Sequence, residues 1–254
     1  MASSAEGELL GARVLVTGAS RGLGRAMAVA LAAAGAELLI TGRDADGLRA
    51  SVDAVAAVGG TAHPYALDVT DGVAVEQLAE RVDAEWGAVD VLVANAGISL
   101  VKPSLETSTQ EFDRVLTTNV LGTFVCATAF GRRMLRRNRG KIITVSSDLG
   151  FRGEPCWAAY AASKAAVINL TKTLAWEWAP SVTVNCLAPG AFATDMNAAL
   201  LARPGVAEGL VAATPLHRIG RPEEIGRSAV FLAGPGSDFM TGSVLSIDGG
   251  IRRS

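Results

Sequence analysis

Histidine and cysteine are scarce in this sequence, and the scarcity narrows its chemistry. Only His63 and His217 occur in 254 residues, and neither has a second ligand nearby, so metal catalysis has little to build on. Cys126, Cys156 and Cys186 are odd in number, far apart and without metal-ligand spacing, which reads as reduced thiols in a cytoplasmic protein. Cys156 is expected as a small apolar filler. Charge is also thin, at 19% of residues with a formal net charge of -2. That balance gives no electrostatic reason to expect nucleic acid or an acidic membrane as partner. The one basic cluster, Arg132, Arg133, Arg136, Arg137 and Arg139, is expected to be a solvated helix end ahead of Gly140, where cations suit the helix dipole. Long apolar runs are missing as well. The richest, residues 26–40, is broken by Gly35 and Glu37 and is too short to span a bilayer. The first residues carry Glu6 and Glu8 and no basic segment, unlike a signal peptide.

Half the residues are hydrophobic, enough for a large core. They fall into short β-rich runs at 13–17, 37–41, 61–67, 89–93, 141–146, 182–187 and 243–247. Helical stretches alternate with them at 22–34, 44–58, 71–85, 109–137 and 157–178, and one more opens at Pro222. Alternation of this kind calls for a parallel sheet covered on both faces. The runs at 89–93 and 182–187 are almost wholly apolar, as strands buried on both faces are. No linker or repeat divides the chain. The expectation is therefore one α/β domain over residues 1–254, a doubly wound Rossmann fold with a seven-stranded parallel sheet. Residues 1–10 are expected as a flexible N-terminus.

Two local patterns carry chemistry. Gly18, Gly22 and Gly24 follow the first strand and open the first helix. Backbone can pass close to a pyrophosphate there, with the helix N-terminus facing it, although a plain strand–helix turn also uses glycines. Tyr160 and Lys164 stand at i and i+4, so they share a helix face, and a nearby ammonium would lower the phenol's pKa into the range of a general acid or base. Ser147 lies 13 residues before Tyr160 and just past a strand, at the end of the sheet where ligands bind. Ser146 is expected to turn away, as the alternating residue.

Taken together, these motifs resemble the short-chain dehydrogenase/reductase family, and within it the gluconate 5-dehydrogenase and 3-oxoacyl-carrier-protein reductase branches. Thr17-Gly18-Ala19-Ser20-Arg21-Gly22-Leu23-Gly24 resembles the family's nucleotide loop. Asp68-Val69 resembles its adenine contact. Asn95-Ala96-Gly97 resembles its Asn-Asn-Ala-Gly, with Ala94 in place of the first Asn. Pro189-Gly190 resembles the nicotinamide-side turn, and Thr194 the carboxamide contact. Ser147, Tyr160 and Lys164 match the catalytic set at the family spacing, with Asn119 as the fourth member.

The resemblance implies hydride transfer between a nicotinamide cofactor and a carbonyl or secondary alcohol. Ser147 would hydrogen-bond the substrate oxygen, and Tyr160 would exchange its proton. Lys164 would hold the ribose and lower the Tyr160 pKa, and Asn119 would position a water. Gly42 stands where NAD-preferring relatives carry Asp, and Arg21 and Arg43 flank that place. NADP(H) is therefore expected over NAD(H), with the Asp44 carboxylate nearby as the competing signal. Residues 192–215 would form a mobile lid. Phe151, Trp157, Phe192 and Met196 would supply an apolar substrate wall, while Arg152 and Glu154 would meet a polar substrate instead. A homotetramer is implied, with residues 167–178 and the last strand as interfaces. The alternative is a non-catalytic NADP(H)-binding or scaffolding protein on the same fold.

Overall fold

The computed structural model describes residues 7–251. Seven strands form a single sheet: β1 Arg13–Thr17, β2 Glu37–Gly42, β3 Thr61–Ala66, β4 Val91–Ala94, β5 Gly140–Val145, β6 Val182–Pro189 and β7 Val244–Ile247. Every pairing is parallel and the order is β3-β2-β1-β4-β5-β6-β7. The chain winds outward from β1 in one direction and, after crossing back to β4, in the other. This makes a doubly wound Rossmann fold with a switch point between β1 and β4, where a crevice opens at the strands' carboxyl ends.

Alternation along β1 explains how both faces are covered. Val14 and Val16 point into one core, with Met27 and Leu31 of helix α1 (Gly22–Ala33) and Ile225 of α9 (Pro222–Ala233). Leu15 points into the other, with Phe130 and Met134 of α5 (Gly122–Arg136) and Val82 of α3 (Gly72–Glu85). Successive strand side chains face opposite sides, so strands covered twice must be apolar throughout. The remaining helices are α2 Ala45–Ala56, α4 Thr109–Leu116, α6 Ala158–Trp178, α7 Asp195–Leu201 and α8 Val206–Ala213. Asp44 caps α2 by accepting from Gly47 N at 3.1 Å.

Three expectations need correction. The stretch at 109–137 is not one regular helix, because a π-helical turn at Thr117–Leu121 separates α4 from α5 and carries Asn119. The basic cluster is not wholly solvated. Arg133 is 8% exposed and reaches Asp83 Oδ2 (2.9 Å) and Glu76 Oε1 (2.8 Å), since α3 lays two carboxylates against it and a buried guanidinium needs such partners. Cys156 is exposed rather than a packed filler, in a loop where it adopts φ 69°.

Gly7–Leu10, within the stretch expected to be flexible, form turns. Leu9 is buried, and its N–H donates to Ala34 O at 2.9 Å. Residues 1–6 of that stretch lie outside the described residues. No helix among the described residues is long and apolar enough to cross a membrane.

Candidate active site

At the end of β1 the chain turns through Gly18 (φ +65°) and Gly22 (φ +56°), conformations that glycine adopts without strain. A Cβ on Gly18 would sit 2.7 Å from Ala96 Cα, and one on Gly24 would collide with the Gly18 carbonyl. The loop is pinned to the β4 turn by side chains. Thr17 Oγ1 accepts from Asn95 N (3.0 Å) and Ala96 N (3.1 Å), while Asn95 Nδ2 donates to Thr17 O (2.9 Å) and Gly18 O (3.1 Å). A second brace escaped the sequence reading. Arg25 donates to Ser20 O, to Gly47 O at 3.2 Å and to Ser51 Oγ at 2.9 Å, and Ser51 donates to Ala19 O at 2.7 Å. Arg25 lies one residue beyond the glycine motif and Ser51 sits on α2; neither belongs to a recognisable spacing.

Arg43 Nη1 lies 3.6 Å from Asp68 Oδ2, with both side chains exposed. The Thr70 N–H, then its hydroxyl and the Arg43 charge, hold the Asp68 carboxyl below its ordinary range against partial burial. Asp44, the competing carboxylate, has one oxygen committed to the α2 N-terminus.

The chemistry-bearing residues gather where β5 meets α6. Ser147 follows β5 and is buried. Its hydroxyl donates to Asp148 Oδ1 at 3.0 Å and accepts from Leu149 N at 3.2 Å. Ser146 turns away and donates to Lys164 O at 2.7 Å, so Ser147 alone of the two serines is free to act with Tyr160. Lys164 Nζ donates to Val145 O at 2.9 Å and lies 5.6 Å from the centre of the Tyr160 ring.

The expected lowering of the phenol by Lys164 is not what this arrangement gives. Tyr160 borders the cavity, yet the protein packed around its hydroxyl pushes its pKa up to about 12. Its hydrogen bond with Ser147 opposes this and the Asp148 charge adds to it. Burial likewise draws Lys164 down to about 8. Burial is the largest cause of both shifts, raising the phenol and lowering the ammonium. Tyr160 therefore keeps its proton at neutral pH.

A cavity of about 1020 Å³ joins the two ends. On its wall lie Gly18, Ser20, Arg21, Gly22, Leu23, Gly24, Arg43, Asp68, Val69, Asn95, Ala96 and Gly97 at one end. Ser147, Tyr160, Lys164, Pro189, Gly190, Thr194, Trp157, Phe192 and Met196 lie at the other. Two expected residues are not on that wall. Phe151 points elsewhere and is 38% exposed. Asn119 is fully buried, with its amide spent on Ile98 N (2.8 Å), Ile98 O (2.9 Å) and Ser163 Oγ (2.9 Å). It ties the β4 loop to α6, and a Cβ on Gly97 would come within 3.1 Å of its Oδ1 and 3.5 Å of Lys164 Nζ. Among the described residues, no three His, Cys, Asp or Glu side chains come together as metal ligands would.

A family model described as enoyl-(acyl carrier protein) reductase matches residues 18–252. The chain belongs to the short-chain dehydrogenase/reductase family. It is 41% identical over 244 residues to gluconate 5-dehydrogenase of Gluconobacter oxydans, covering 96% of this chain and 95% of that one. It is 39% identical over 238 residues to the 3-oxoacyl-(acyl-carrier-protein) reductase of Escherichia coli, covering 93% and 96%. A crystal structure of gluconate 5-dehydrogenase from Burkholderia cenocepacia, in complex with NADP and tartrate, superposes with a TM-score of 0.92 at 35% identity over 98% of both chains. The chain is thus an oxidoreductase of the short-chain dehydrogenase/reductase family. The cavity wall also carries Arg152 and Glu154, expected as contacts for a polar substrate, and Asp148, which the sequence reading missed.

Proposed function

We propose that this chain reduces a carbonyl compound to a secondary alcohol, or runs the reverse reaction, with NADP(H), and that Tyr160 is the general acid and base. The observation that carries this reading is the meeting of Ser147, Tyr160 and Lys164 in the same cavity as the glycine cradle. The residues fit a dinucleotide. A Cβ at Gly18 or Gly24 would fill space the backbone needs, and the N-terminus of α1 faces the cavity beside them. Arg21 and Arg43 would meet a ribose 2′-phosphate, and the NADP bound by the Burkholderia relative favours the same choice. When bound, the nicotinamide supplies or accepts the hydride. Ser147 orients the substrate oxygen, Tyr160 holds the proton for it, and Lys164 binds the ribose. Asn119 positions Ser163 and the β4 loop.

Residues 192–215 act as a lid, since α7 and α8 have no buried residue and sit over the cavity. The reading also includes one domain, a cytoplasmic location suited to three free thiols and a homotetramer. Exposed Trp176 on α6 and Phe239 before β7 support the tetramer, as apolar side chains available to a second copy.

Tyr160→Phe is expected to lower kcat by about 10²- to 10⁴-fold, the usual worth of a general acid, with little change in NADPH affinity. Unchanged turnover would show that Tyr160 is not the general acid, whereas a wild type that turns over no carbonyl compound would leave a non-catalytic NADP(H)-binding or scaffolding role. For the cofactor, KM for NADPH is expected below that for NADH, and Arg43→Ala to raise the former by about tenfold, the worth of one charge-assisted contact. Equal kcat/KM for both cofactors in the wild type would contradict it.

A further inference from the structure

The wall beside Ser147 carries a charge arrangement that the reaction does not require. Asp148 is the residue after Ser147, and its side chain is only 7% exposed. One of its oxygens accepts the Ser147 hydroxyl, and the other accepts Arg152 Nε at 3.2 Å and Nη2 at 2.9 Å. The remaining arm of Arg152 donates to Glu154. The guanidinium is thus held between two carboxylates, and all three side chains line the cavity. Their sum is one negative charge on a partly desolvated wall.

Among the described residues, no cation in the substrate half other than Lys164 answers it. Lys164 also lines the cavity, but it is buried and its ammonium donates to the Val145 carbonyl. Arg21 and Arg43 sit at the β1–β2 end of the cavity. Across from the array, the lid contributes Met196, Leu200, Val206 and Leu210 and no ionisable side chain to the lining. An anionic group entering here would meet excess negative charge and apolar surface, with the nearest guanidinium already paired. Buried charges need partners, and this wall offers none to an anion.

We propose that the substrate is an uncharged, largely apolar ketone or secondary alcohol, and that Asp148 and Glu154, by clamping Arg152, exclude carboxylates. The inference rests on the carbonyl reduction argued above and narrows its substrate. It parts from the relative named for gluconate, which is itself a carboxylate.

A matched pair of ketones tests it: 4-oxocyclohexanecarboxylate and its methyl ester, with 5-ketogluconate as the sugar acid, each followed by NADPH oxidation at neutral pH. The ester is expected to show a kcat/KM at least about tenfold above either acid. Glu154→Gln removes one charge at nearly constant size and is expected to narrow the gap by about threefold or more. Arg152→Gln leaves both carboxylates and is expected to widen it. The two variants thus move the acid-to-ester ratio in opposite directions, which a merely structural role would not do. An acid used as well as the ester by the wild type overturns the proposal, and so do variants that shift both ketones equally. NADPH oxidation with none of the three ketones would overturn the carbonyl reduction itself, and this inference with it.

Discussion

At the nucleotide end of the cavity, side chains distant in sequence tie backbone to backbone. Thr17 and Asn95 lock β1 to β4, and Arg25 and Ser51 hold the loop against α2. At the substrate end, α7 and α8 cover the opening with half-exposed leucines and no buried residue. The difference follows from what each end must recognise. A pyrophosphate is the same in every turnover and rewards backbone fixed in advance, because little ordering remains for binding to drive. A lid has to open and close, and segments that move are those with few buried contacts.

The sharpest way to break this contrast is to add one methyl group at the braced end. In Gly24→Ala the new Cβ would collide with the Gly18 carbonyl and crowd Asn95 Nδ2 at 2.5 Å, neither of which can retreat without releasing the brace. A cost of about 3 kcal/mol or more is expected from such overpacking, together with a loss of NADPH affinity exceeding about 100-fold. Fluorescence titration with NADPH and a thermal melt would read both effects. A variant that binds and melts like the wild type would mean the brace is not rigid.

The next test asks how strongly the catalytic face, between the two ends, is desolvated. Lys164 is drawn from 10.5 to about 8 by burial. Below about pH 8 both folded and unfolded chains hold the proton, and the folded chain bears the full penalty, of order 3 kcal/mol. Between about 8 and 10.5 the unfolded chain keeps a proton that the folded one has shed, so this contribution to stability rises with pH. Tyr160 and Cys126, raised by burial to about 12, push the opposite way at high pH. Comparison with Lys164→Met cancels them. Denaturant titrations at pH 7 and pH 10 are expected to show the wild type gaining about 2 kcal/mol on the variant. A constant difference would place Lys164 in a wetter site than its burial implies.

These two regions were also unequally legible in the sequence. The glycine loop and the Tyr160–Lys164 pair are short spacings, visible because a turn and a helix face are set by neighbours in the chain. The parallel order of the strands followed from their alternation with helices. The Thr17–Asn95 brace joins residues 78 apart, and the clamp on Arg133 links α3 to α5 across 50 or more residues, so no local pattern announces either. Asp148 was hidden for a different reason. It stood beside Ser147 in plain view, but its consequence for Arg152 and for the phenol depends on burial, which a spacing does not report. The same omission led the pKa of Tyr160 to be expected in the wrong direction.

The smallest effect is expected from the same substitution made in the proposed lid. Gly209 lies inside α8, lines the cavity, and has nothing within 4 Å of the place a Cβ would take. Gly209→Ala therefore meets no clash, and helix propensity favours alanine by up to about 1 kcal/mol. Because the lid adds little to global stability, most of that gain should appear as a more ordered α8 rather than a higher melting temperature. NADPH affinity is expected to stay within about twofold of wild type, while substrate KM shifts by up to about tenfold, the low end of what one methyl group is worth in an apolar pocket. Its pairing with Gly24→Ala is what gives the experiment its force. One added carbon is expected to weaken cofactor binding severely where backbones are braced and only to retune the substrate where partly exposed helices line the cavity. Equal damage at both positions would show that the lid is as fixed as the cradle.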